Sequence, residues 1–329
     1  MTKLSLTFAC EGYDRIRALQ DGRVRPEGID LNVVALPVEE TFYRQARYRE
    51  FDVSEMSLSS YLLTLDLDDP PFVALPVFPS RMFRHQSIYV NRDSGIKEPV
   101  DLIGKRVGVP EYQLTAVVWQ RGILAEHHGV PVESVRYFTG GMEQAGRVEK
   151  LTLNLPAEVS VTPIAPDQTL SALLAAGELD AVYSAGEPLG FGALPQLGRL
   201  FEDFQSAEID YYRKTGIFPI MHVIAVKRAL FEQHPWTARA LTKAFGAALD
   251  IAYADLAQRN ALKVMLPWLA KHLEETTSVL GPRYWDYGLD ANRHVLETFS
   301  RYSHEQGLAA RPRRAEEIVL AQASDSFLL

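Results

Sequence analysis

The sequence has few of the features that mark an exported or membrane-bound chain. It contains one cysteine, Cys10, so no disulfide can form within it, as expected of a protein in a reducing compartment. No segment approaches the roughly 20 consecutive apolar residues of a membrane-spanning helix. Near the N-terminus, Leu4, Leu6 and Phe8 alternate with more polar residues, which is typical of a strand and not of a signal peptide. We therefore expect a cytoplasmic protein without a membrane partner.

The motifs of the common cofactor and nucleic-acid classes are also missing. The formal net charge is -8, with 34 Lys and Arg interspersed among 42 Asp and Glu, so no basic face for nucleic acid is predicted. There is no glycine-rich dinucleotide fingerprint, no phosphate-binding loop and no closely spaced metal motif. We predict no cofactor and no metal site. A divalent metal site built from distant segments stays an alternative, with His85, His222, Glu55 and Glu187 as its ligands.

What is present is the composition of a folded globular protein. Hydrophobic residues make up 47% of the sequence and charged residues 23%, both near the average for such proteins. Because a single core stops growing at roughly 250–300 residues, a chain of 329 residues predicts two lobes. We place the first lobe, with C-terminal helices, in residues 1–92 and 221–329, and the second lobe in residues 93–220.

Strand and helix patterns alternate along most of the chain, which predicts an α/β fold with mixed sheets flanked by helices. The first strand is predicted over Leu4–Cys10. An apolar, β-branched strand over residues 217–226 is predicted to return to the first lobe. Helices are then predicted over residues 236–258, 261–275 and 290–306.

Three segments carry a resemblance to a known family. They are RMFRHQSIYVN at 81–91, GKRVGVPEYQLTA at 104–116 and TGIFPIMH at 215–222. Together with the order of the predicted elements, they resemble the 4,5-dihydroxyphthalate decarboxylases, which have a two-lobed type II periplasmic-binding-protein-like fold. The resemblance implies a ligand cleft between the lobes. It also implies an enzyme that removes one carboxylate from 4,5-dihydroxyphthalate and gives protocatechuate and CO2.

The implied substrate is a flat aromatic dicarboxylate, which needs cations for its two negative charges. Arginine suits this because its planar fork meets a carboxylate with two parallel hydrogen bonds. Arg81 and Arg84 lie at the end of a predicted strand, beside an aromatic residue, and are candidates for a carboxylate clamp. The alternative is a solvated loop or a salt bridge between lobes.

Decarboxylation needs a proton donor near the ring carbon that loses its carboxylate, and a base near the phenol. Histidine is the natural donor near neutral pH. His222 and His85 are the candidate donors, with His222 slightly ahead, and a structural role is the alternative for each. Glu187, after a strand of the second lobe, is the candidate to accept a catechol proton.

Further candidates for substrate binding lie at predicted element ends. The helix start at Tyr112, Gln113 and Thr115, with Thr115 as its cap, offers free N–H groups for a second carboxylate. An ordinary cap without a ligand is the alternative. Ser57 and Ser59 follow the third predicted strand and are candidates to offer hydroxyls.

Two acidic and aromatic candidates complete the predicted set. Glu55 is a candidate base, although an acid in a short strand more often pairs with an arginine. Tyr13, with Arg15, follows the first strand and is expected to line the cleft. Cys10 ends an apolar run, where a buried structural thiol is the favoured interpretation and a nucleophile is not.

Other functions stay open from the sequence alone. A solute-binding protein for an aromatic or other small organic anion would share the fold, the cleft and the arginines, and turnover would separate the two. An enzyme of thiamine-precursor synthesis would need a cluster of histidines and cysteines that Cys10 alone does not supply. A homo-oligomer, with the C-terminal helices as its interface, is also open.

Overall fold

A computed structural model describes residues 2–321 of the chain. Over these residues the chain forms two compact units, each with its own mixed sheet. The first unit comprises residues 2–81, Ile220–Glu297 and 313–321, and the second comprises Met82–Pro219 and Thr298–Pro312.

The sheet of the first unit has five strands in the order β2-β1-β3-β11-β4. Its strands are β1 (Leu4–Cys10), β2 (Ile29–Ala35), β3 (Val53–Ser57), β4 (Phe72–Arg81) and β11 (Ile220–Lys227). Strands β1, β2 and β3 are parallel, whereas β11 runs antiparallel to both of its neighbours, β3 and β4. The return strand therefore lies between two strands that are close in sequence.

The alternation at the N-terminus explains why β1 forms. Leu6 and Phe8 are buried and Ser5 is exposed, so one face of the strand contributes to the core. The ring of Phe8 meets that of Phe245 edge to face, with 5.2 Å between centroids. Burial of such side chains is the main force that holds a sheet against its covering helices.

Helices α1, α2, α3 and α7 to α9 belong to the first unit, together with α11. Their bounds are α1 Asp14–Gln20, α2 Val38–Tyr48, α3 Leu58–Thr64, α7 Arg228–Gln233, α8 Trp236–Ala257, α9 Leu269–Leu280 and α11 Ala315–Ile318. The long helix α8 buries one stripe that includes Leu241, Phe245 and Leu249.

The sheet of the second unit has six strands in the order β10-β5-β9-β6-β7-β8. Their bounds are β5 Ile88–Asn91, β6 Arg106–Val109, β7 Arg136–Thr139, β8 Val161–Pro163, β9 Ala181–Tyr183 and β10 Leu197–Arg199. Strand β5 is antiparallel to β9 and β10, and the remaining pairs are parallel.

Three helices, α4 (Thr115–His128), α5 (Leu170–Ala175) and α6 (Phe204–Thr215), belong to the second unit. Helix α10 (Arg293–Glu305) contributes its first residues to the first unit and the rest to the second. Short 3₁₀ helices occur at His85–Ser87, Arg92–Ser94, Pro99–Leu102, Val132–Ser134 and Asp290–Asn292.

Two details of the sequence-based organisation differ from the structure. Residues 82–92, predicted in the first lobe, fall in the second unit, because β5 pairs with β9 and β10. Residues 298–312, also predicted in the first lobe, fall in the second unit as well. The helix predicted over 261–275 is wrong in its first half. Residues 261–268 are irregular, and α9 begins only at Leu269, after Pro267.

None of the helices within residues 2–321 is long and apolar enough to span a membrane.

Candidate functional site

A buried carboxylate, Glu55, lies where three strands of the first unit meet. Ala9 of β1 pairs with Ser54 of β3, so the residues that follow, Cys10 and Glu55, lie at the same edge of the sheet. On the other side β11 places His222 opposite Ser57. Because diagonal neighbours on one face of an antiparallel pair are within reach, this register brings His222 to Glu55.

Four hydrogen bonds end on the Glu55 carboxylate. Its Oε1 accepts from the Tyr13 hydroxyl at 2.8 Å and lies 2.6 Å from Nδ1 of His222. Its Oε2 accepts from the Glu11 backbone N–H at 3.1 Å and from the Cys10 thiol at 3.4 Å. Glu55 itself is fully buried. A buried charge of this kind is tolerated only when hydrogen bonds and an opposite charge replace the lost water.

The electrostatics of this cluster favour an ionised Glu55. Burial by itself would raise the pKa of the carboxyl, but the His222 imidazole and the hydrogen-bond donors outweigh burial and hold that pKa below its usual value. Burial and the negative charge of Glu55 raise the pKa values of Tyr13 and Cys10. Both groups therefore keep their protons at neutral pH and act as donors.

His222 is held by one ring nitrogen. With an ionised Glu55 as acceptor, Nδ1 carries a proton, so Nε2 is the nitrogen that can gain or lose one. Within residues 2–321, Nε2 of His222 has no hydrogen-bond partner. The side chain is 16% exposed, and the ring of Phe42 packs against it edge to face at 4.9 Å. The arrangement suits a histidine that exchanges protons with a ligand.

The two predicted serines border this cluster. Ser57 pairs with His222 across the sheet, and its hydroxyl caps α3 by accepting from the Ser60 N–H at 3.4 Å. Ser59 is fully buried in the first turn of α3. We therefore assign a structural hydrogen bond to Ser57, and substrate binding by either serine stays a prediction.

Arg81, a predicted clamp residue, has structural partners in the first unit. It is buried, and its guanidinium donates to the Asp286 carbonyl at 3.0 Å and to the Asn292 side chain. Arg15 lies between two aromatic rings, 4.0 Å from the centroid of Tyr13 and 4.2 Å from that of Trp285. Its Nε donates to the Pro79 carbonyl at 2.5 Å.

The second unit contains Arg84, His85 and Glu187, together with the predicted residues near the start of α4. Arg84 is buried, donates to the Ala185 carbonyl at 3.3 Å, and burial lowers its pKa to about 10. Glu187 is exposed and pairs with Arg199 at 2.5 Å. An exposed carboxylate in a salt bridge is poorly suited to act as a base.

His85 lies in a cage of rings. It is 2% exposed, with Phe201, Tyr211 and His128 at centroid distances of 5.1, 5.2 and 6.0 Å. Burial, and then the proximity of two other histidines, lowers its pKa to about 3. His85 is therefore neutral at pH 7, and its imidazole, unlike that of His222, has no hydrogen bond to a carboxylate among the described residues.

One backbone N–H near the predicted anion site at the start of α4 already has a carboxylate partner within the protein. The backbone N–H of Tyr112 donates to the Glu149 carboxylate, whose pKa burial raises to about 7. Gln113 donates to Glu111 at 2.8 Å. The prediction that Thr115 caps the helix is wrong, because Leu114 occupies the cap position and Thr115 is the first helical residue.

Tyr112 is packed by its own unit. Its ring faces the guanidinium of Arg121 at 3.5 Å, and its hydroxyl donates to the Gln306 carbonyl at 3.1 Å. It is fully buried, as is Glu111, which pairs with Arg147 at 2.5 Å. Substrate binding by Tyr112 and Gln113 stays a prediction.

Sequence reasoning missed the roles of Cys10 and Glu11 at the Glu55 cluster. The structure agrees that Cys10 is buried, but it also makes the thiol a hydrogen-bond donor. The available signal was the parallel alternation of strands and helices, because the carboxyl ends of neighbouring parallel strands lie at one edge. Residues 10–13 and 55–57 both follow or end such strands.

No group of three or more His, Cys, Asp or Glu side chains within the described part of the chain is placed to hold a metal ion.

The chain is similar in sequence to two curated enzymes. It is 42% identical to a 4,5-dihydroxyphthalate decarboxylase of Comamonas testosteroni over 328 residues, 99% of each chain. It is 47% identical to a 4,5-dihydroxyphthalate decarboxylase of Pseudomonas putida over 214 residues, 65% of this chain and 83% of that protein. No protein-family model matches the chain.

Solved structures share the fold at low sequence identity. A putative periplasmic sulfonate-binding protein, SsuA, of Methylobacillus flagellatus has a TM-score of 0.53 at 14% identity and covers 98% of this chain and 93% of its own. The alkanesulfonate-binding SsuA of Xanthomonas axonopodis pv. citri has a TM-score of 0.51 at 13% identity, with 98% of each chain covered. The predicted class, a periplasmic-binding-protein-like α/β fold with mixed sheets flanked by helices, is confirmed. The predicted ligand cleft stays a prediction.

Proposed function

The chain belongs to the 4,5-dihydroxyphthalate decarboxylase family, and we propose that it converts 4,5-dihydroxyphthalate to protocatechuate and CO2. The sequence similarity over almost the whole chain supports the reaction. The single structural observation that supports the chemistry is the 2.6 Å contact between the buried, ionised Glu55 and Nδ1 of His222.

In the proposed reaction His222 is the proton donor. The bond between the ring and one carboxylate breaks, CO2 leaves, and the electron pair stays with the ring carbon. That carbon takes a proton from Nε2 of His222, so hydrogen replaces the carboxylate and solvent later returns the proton. Glu55 offsets the positive charge of the imidazolium before transfer and fixes the ring orientation, as a buried carboxylate does for a catalytic histidine elsewhere.

Arg84 is the preferred candidate to bind a substrate carboxylate. Its guanidinium is desolvated, which lowers its pKa to about 10, and an anionic ligand would offset that cost. Arg81 is less suitable because it already holds the Asp286 carbonyl and Asn292. His85 is left out of the proposed chemistry, since a neutral imidazole in an aromatic cage is a poor proton donor.

The test is turnover by purified protein treated with a chelator. The protein is mixed with 4,5-dihydroxyphthalate, and protocatechuate and CO2 are measured over time. Formation of both products in equal amounts is the expected result, and it would agree with the prediction that no cofactor is needed. Turnover that appears only after divalent metal is restored would make the protein a metal enzyme.

A solute-binding function is the second candidate, because the fold is shared with sulfonate-binding proteins. Binding of 4,5-dihydroxyphthalate, measured by calorimetry, without any product would favour it over the decarboxylase. If the protein neither binds nor converts the compound, the proposed substrate is wrong.

The proposal includes a cytoplasmic location and leaves a homo-oligomer open. The single cysteine, which is buried and free, is compatible with a reducing compartment. Cell fractionation tests the location, and light scattering coupled to size-exclusion chromatography measures the mass of the particle.

A further inference from the structure

The Glu55 carboxylate has two donors, Tyr13 and Cys10, for which the proposed reaction has no direct use. Tyr13 shares Oε1 with His222, and Cys10 shares Oε2 with the Glu11 N–H. Cys10 is the last residue of β1 and Tyr13 follows that strand, whereas His222 belongs to β11. Two separate strands therefore converge on one buried charge.

We propose that Tyr13 and Cys10 are positioning residues that keep Glu55 an anion, so that His222 carries its exchangeable proton on Nε2 as an imidazolium. This inference rests on the proposed function, in which His222 is the donor. Neither side chain needs to touch the substrate to do this.

The reason lies in the proton between Nδ1 and Oε1. In the charged arrangement, Glu55 is an anion and His222 is a cation with a proton on each ring nitrogen. If that proton moves to Glu55, His222 becomes neutral with its remaining proton on Nε2, and a neutral imidazole is a far weaker acid. Donors to Glu55 stabilise the carboxylate and so oppose this transfer.

The geometry gives the two donors unequal weight. The Tyr13 hydroxyl is 2.8 Å from Oε1, the oxygen that also meets His222, whereas the Cys10 sulfur is 3.4 Å from Oε2. A hydroxyl is also the stronger donor of the two. Tyr13 should therefore contribute more than Cys10.

Other charged or titratable groups near Glu55 stay constant in the test. They are Glu11, whose backbone N–H donates to the carboxylate, and Arg15, whose charge acts on both Tyr13 and Cys10. The variants therefore remove one donor at a time without a change in net charge.

The experiment compares Tyr13→Phe and Cys10→Ala with matched controls. Cys10→Ser keeps a donor at position 10. Tyr287→Phe removes a buried tyrosine hydroxyl that lacks a hydrogen-bond partner within residues 2–321, in a residue whose electrostatic neighbours include Cys10 and Arg15. Thermal melting checks that each variant is folded.

The first readout needs no substrate. Nitrogen-15 NMR distinguishes protonated from unprotonated ring nitrogens, and a His222→Gln spectrum assigns the His222 signals. We expect Nδ1 of His222 to carry a proton in the native protein and in both controls. In Tyr13→Phe, and to a smaller degree in Cys10→Ala, the Nδ1 signal should move toward that of an unprotonated nitrogen.

The second readout is turnover of 4,5-dihydroxyphthalate. Loss of a hydrogen bond to a charged group predicts about a tenfold fall in kcat for Tyr13→Phe and a smaller fall, about threefold, for Cys10→Ala. KM should be unchanged, Tyr287→Phe should match the native enzyme, and Cys10→Ser, which keeps a donor, should have a higher kcat than Cys10→Ala.

The two readouts separate the two hypotheses. An Nδ1 signal that stays the same in Tyr13→Phe and Cys10→Ala would overturn the positioning role, whatever the turnover. If that signal moves as expected but the native protein has no turnover, the proposed function fails and the role of the donors stands.

Discussion

Two histidines of this chain occupy opposite environments, one in each unit. His222 lies on a sheet strand, partly exposed, with Nδ1 bound to a buried carboxylate. His85 lies in a short 3₁₀ helix, almost completely buried among the rings of Phe201, Tyr211 and His128. From the sequence both are candidates for the proton donor, with His222 slightly ahead, and each lies in one of the segments that carry the family resemblance.

The comparison shows that burial alone does not make a histidine reactive. Burial without a charged partner favours the neutral ring, and it lowers the pKa of His85 to about 3. His222 instead has a buried carboxylate 2.6 Å from Nδ1, which fixes the orientation of its ring. The partner of the imidazole, and not its depth in the protein, is therefore the basis of the two roles that we propose.

The largest expected effect comes from replacement of the two histidines by glutamine. His222→Gln should lower kcat by about 10²–10⁴, the usual contribution of a general acid, with little change in substrate affinity. His85→Gln should keep kcat within a few-fold of the native value. Steady-state kinetics on folded variants measures both. Equal falls in kcat in the two variants would contradict the proposal that His222, and not His85, donates the proton.

The two buried arginines extend the comparison to substrate binding. Arg84→Gln should raise KM by about 10–100-fold if the guanidinium binds a substrate carboxylate. Arg81→Gln should instead lower the free energy of unfolding by about 1–3 kcal/mol, since it leaves Asn292 and the Asp286 carbonyl without this donor. Steady-state kinetics and urea unfolding of both variants measure these effects. A raised KM in Arg81→Gln together with a loss of stability in Arg84→Gln would reverse the two roles.

The smallest expected effect is on stability: the burial of His85 makes the free energy of unfolding depend on pH in the acid range. Its pKa of about 3 is below the ordinary value of 6.5, so the native state resists protonation that the unfolded state accepts. The stability that this group contributes is present above pH 6.5 and is lost as the pH falls toward 3. His85→Phe removes the titrating ring and should make the unfolding free energy depend less on pH in that window.

Urea unfolding of the native protein and His85→Phe at several pH values between 7 and 4 tests this. The unfolding free energy of His85→Phe relative to that of the native protein should rise as the pH falls. Parallel curves would mean that the His85 ring is already solvated or charged in the native protein. Glu149 is unchanged in both proteins, so its raised pKa does not affect the difference.

The sequence predicts individual elements well where a local pattern decides them. The bounds of β1 match the prediction because alternation of apolar residues is a local signal. The helix predicted over 261–275 is wrong in its first half, where Met265 and Trp268 are exposed and Pro267 interrupts the pattern.

The candidate site is a different case, because its residues are far apart in sequence. From the sequence, Tyr13 is a candidate because it follows the first predicted strand, Glu55 because it is an acid in a short strand, and His222 because it is a potential proton donor. The three side chains come close together because of the strand order β1-β3-β11 and the antiparallel register of β11. No local sequence pattern encodes either feature. The carboxylate at the start of α4 could not be predicted either, since Glu149 comes from a loop without a periodic pattern.

The position of β11 has a consequence for the synthesis of this protein. The strand enters the sheet between β3 and β4, yet it leaves the ribosome only after all of Met82–Pro219 has been made. Until then the edges of β3 and β4 that later pair with β11 are exposed. These edges could pair wrongly with each other or with another chain. The His222–Glu55 pair cannot exist in any nascent chain shorter than about two thirds of the full length. We therefore expect a factor that shields sheet edges during translation to raise the yield of active protein.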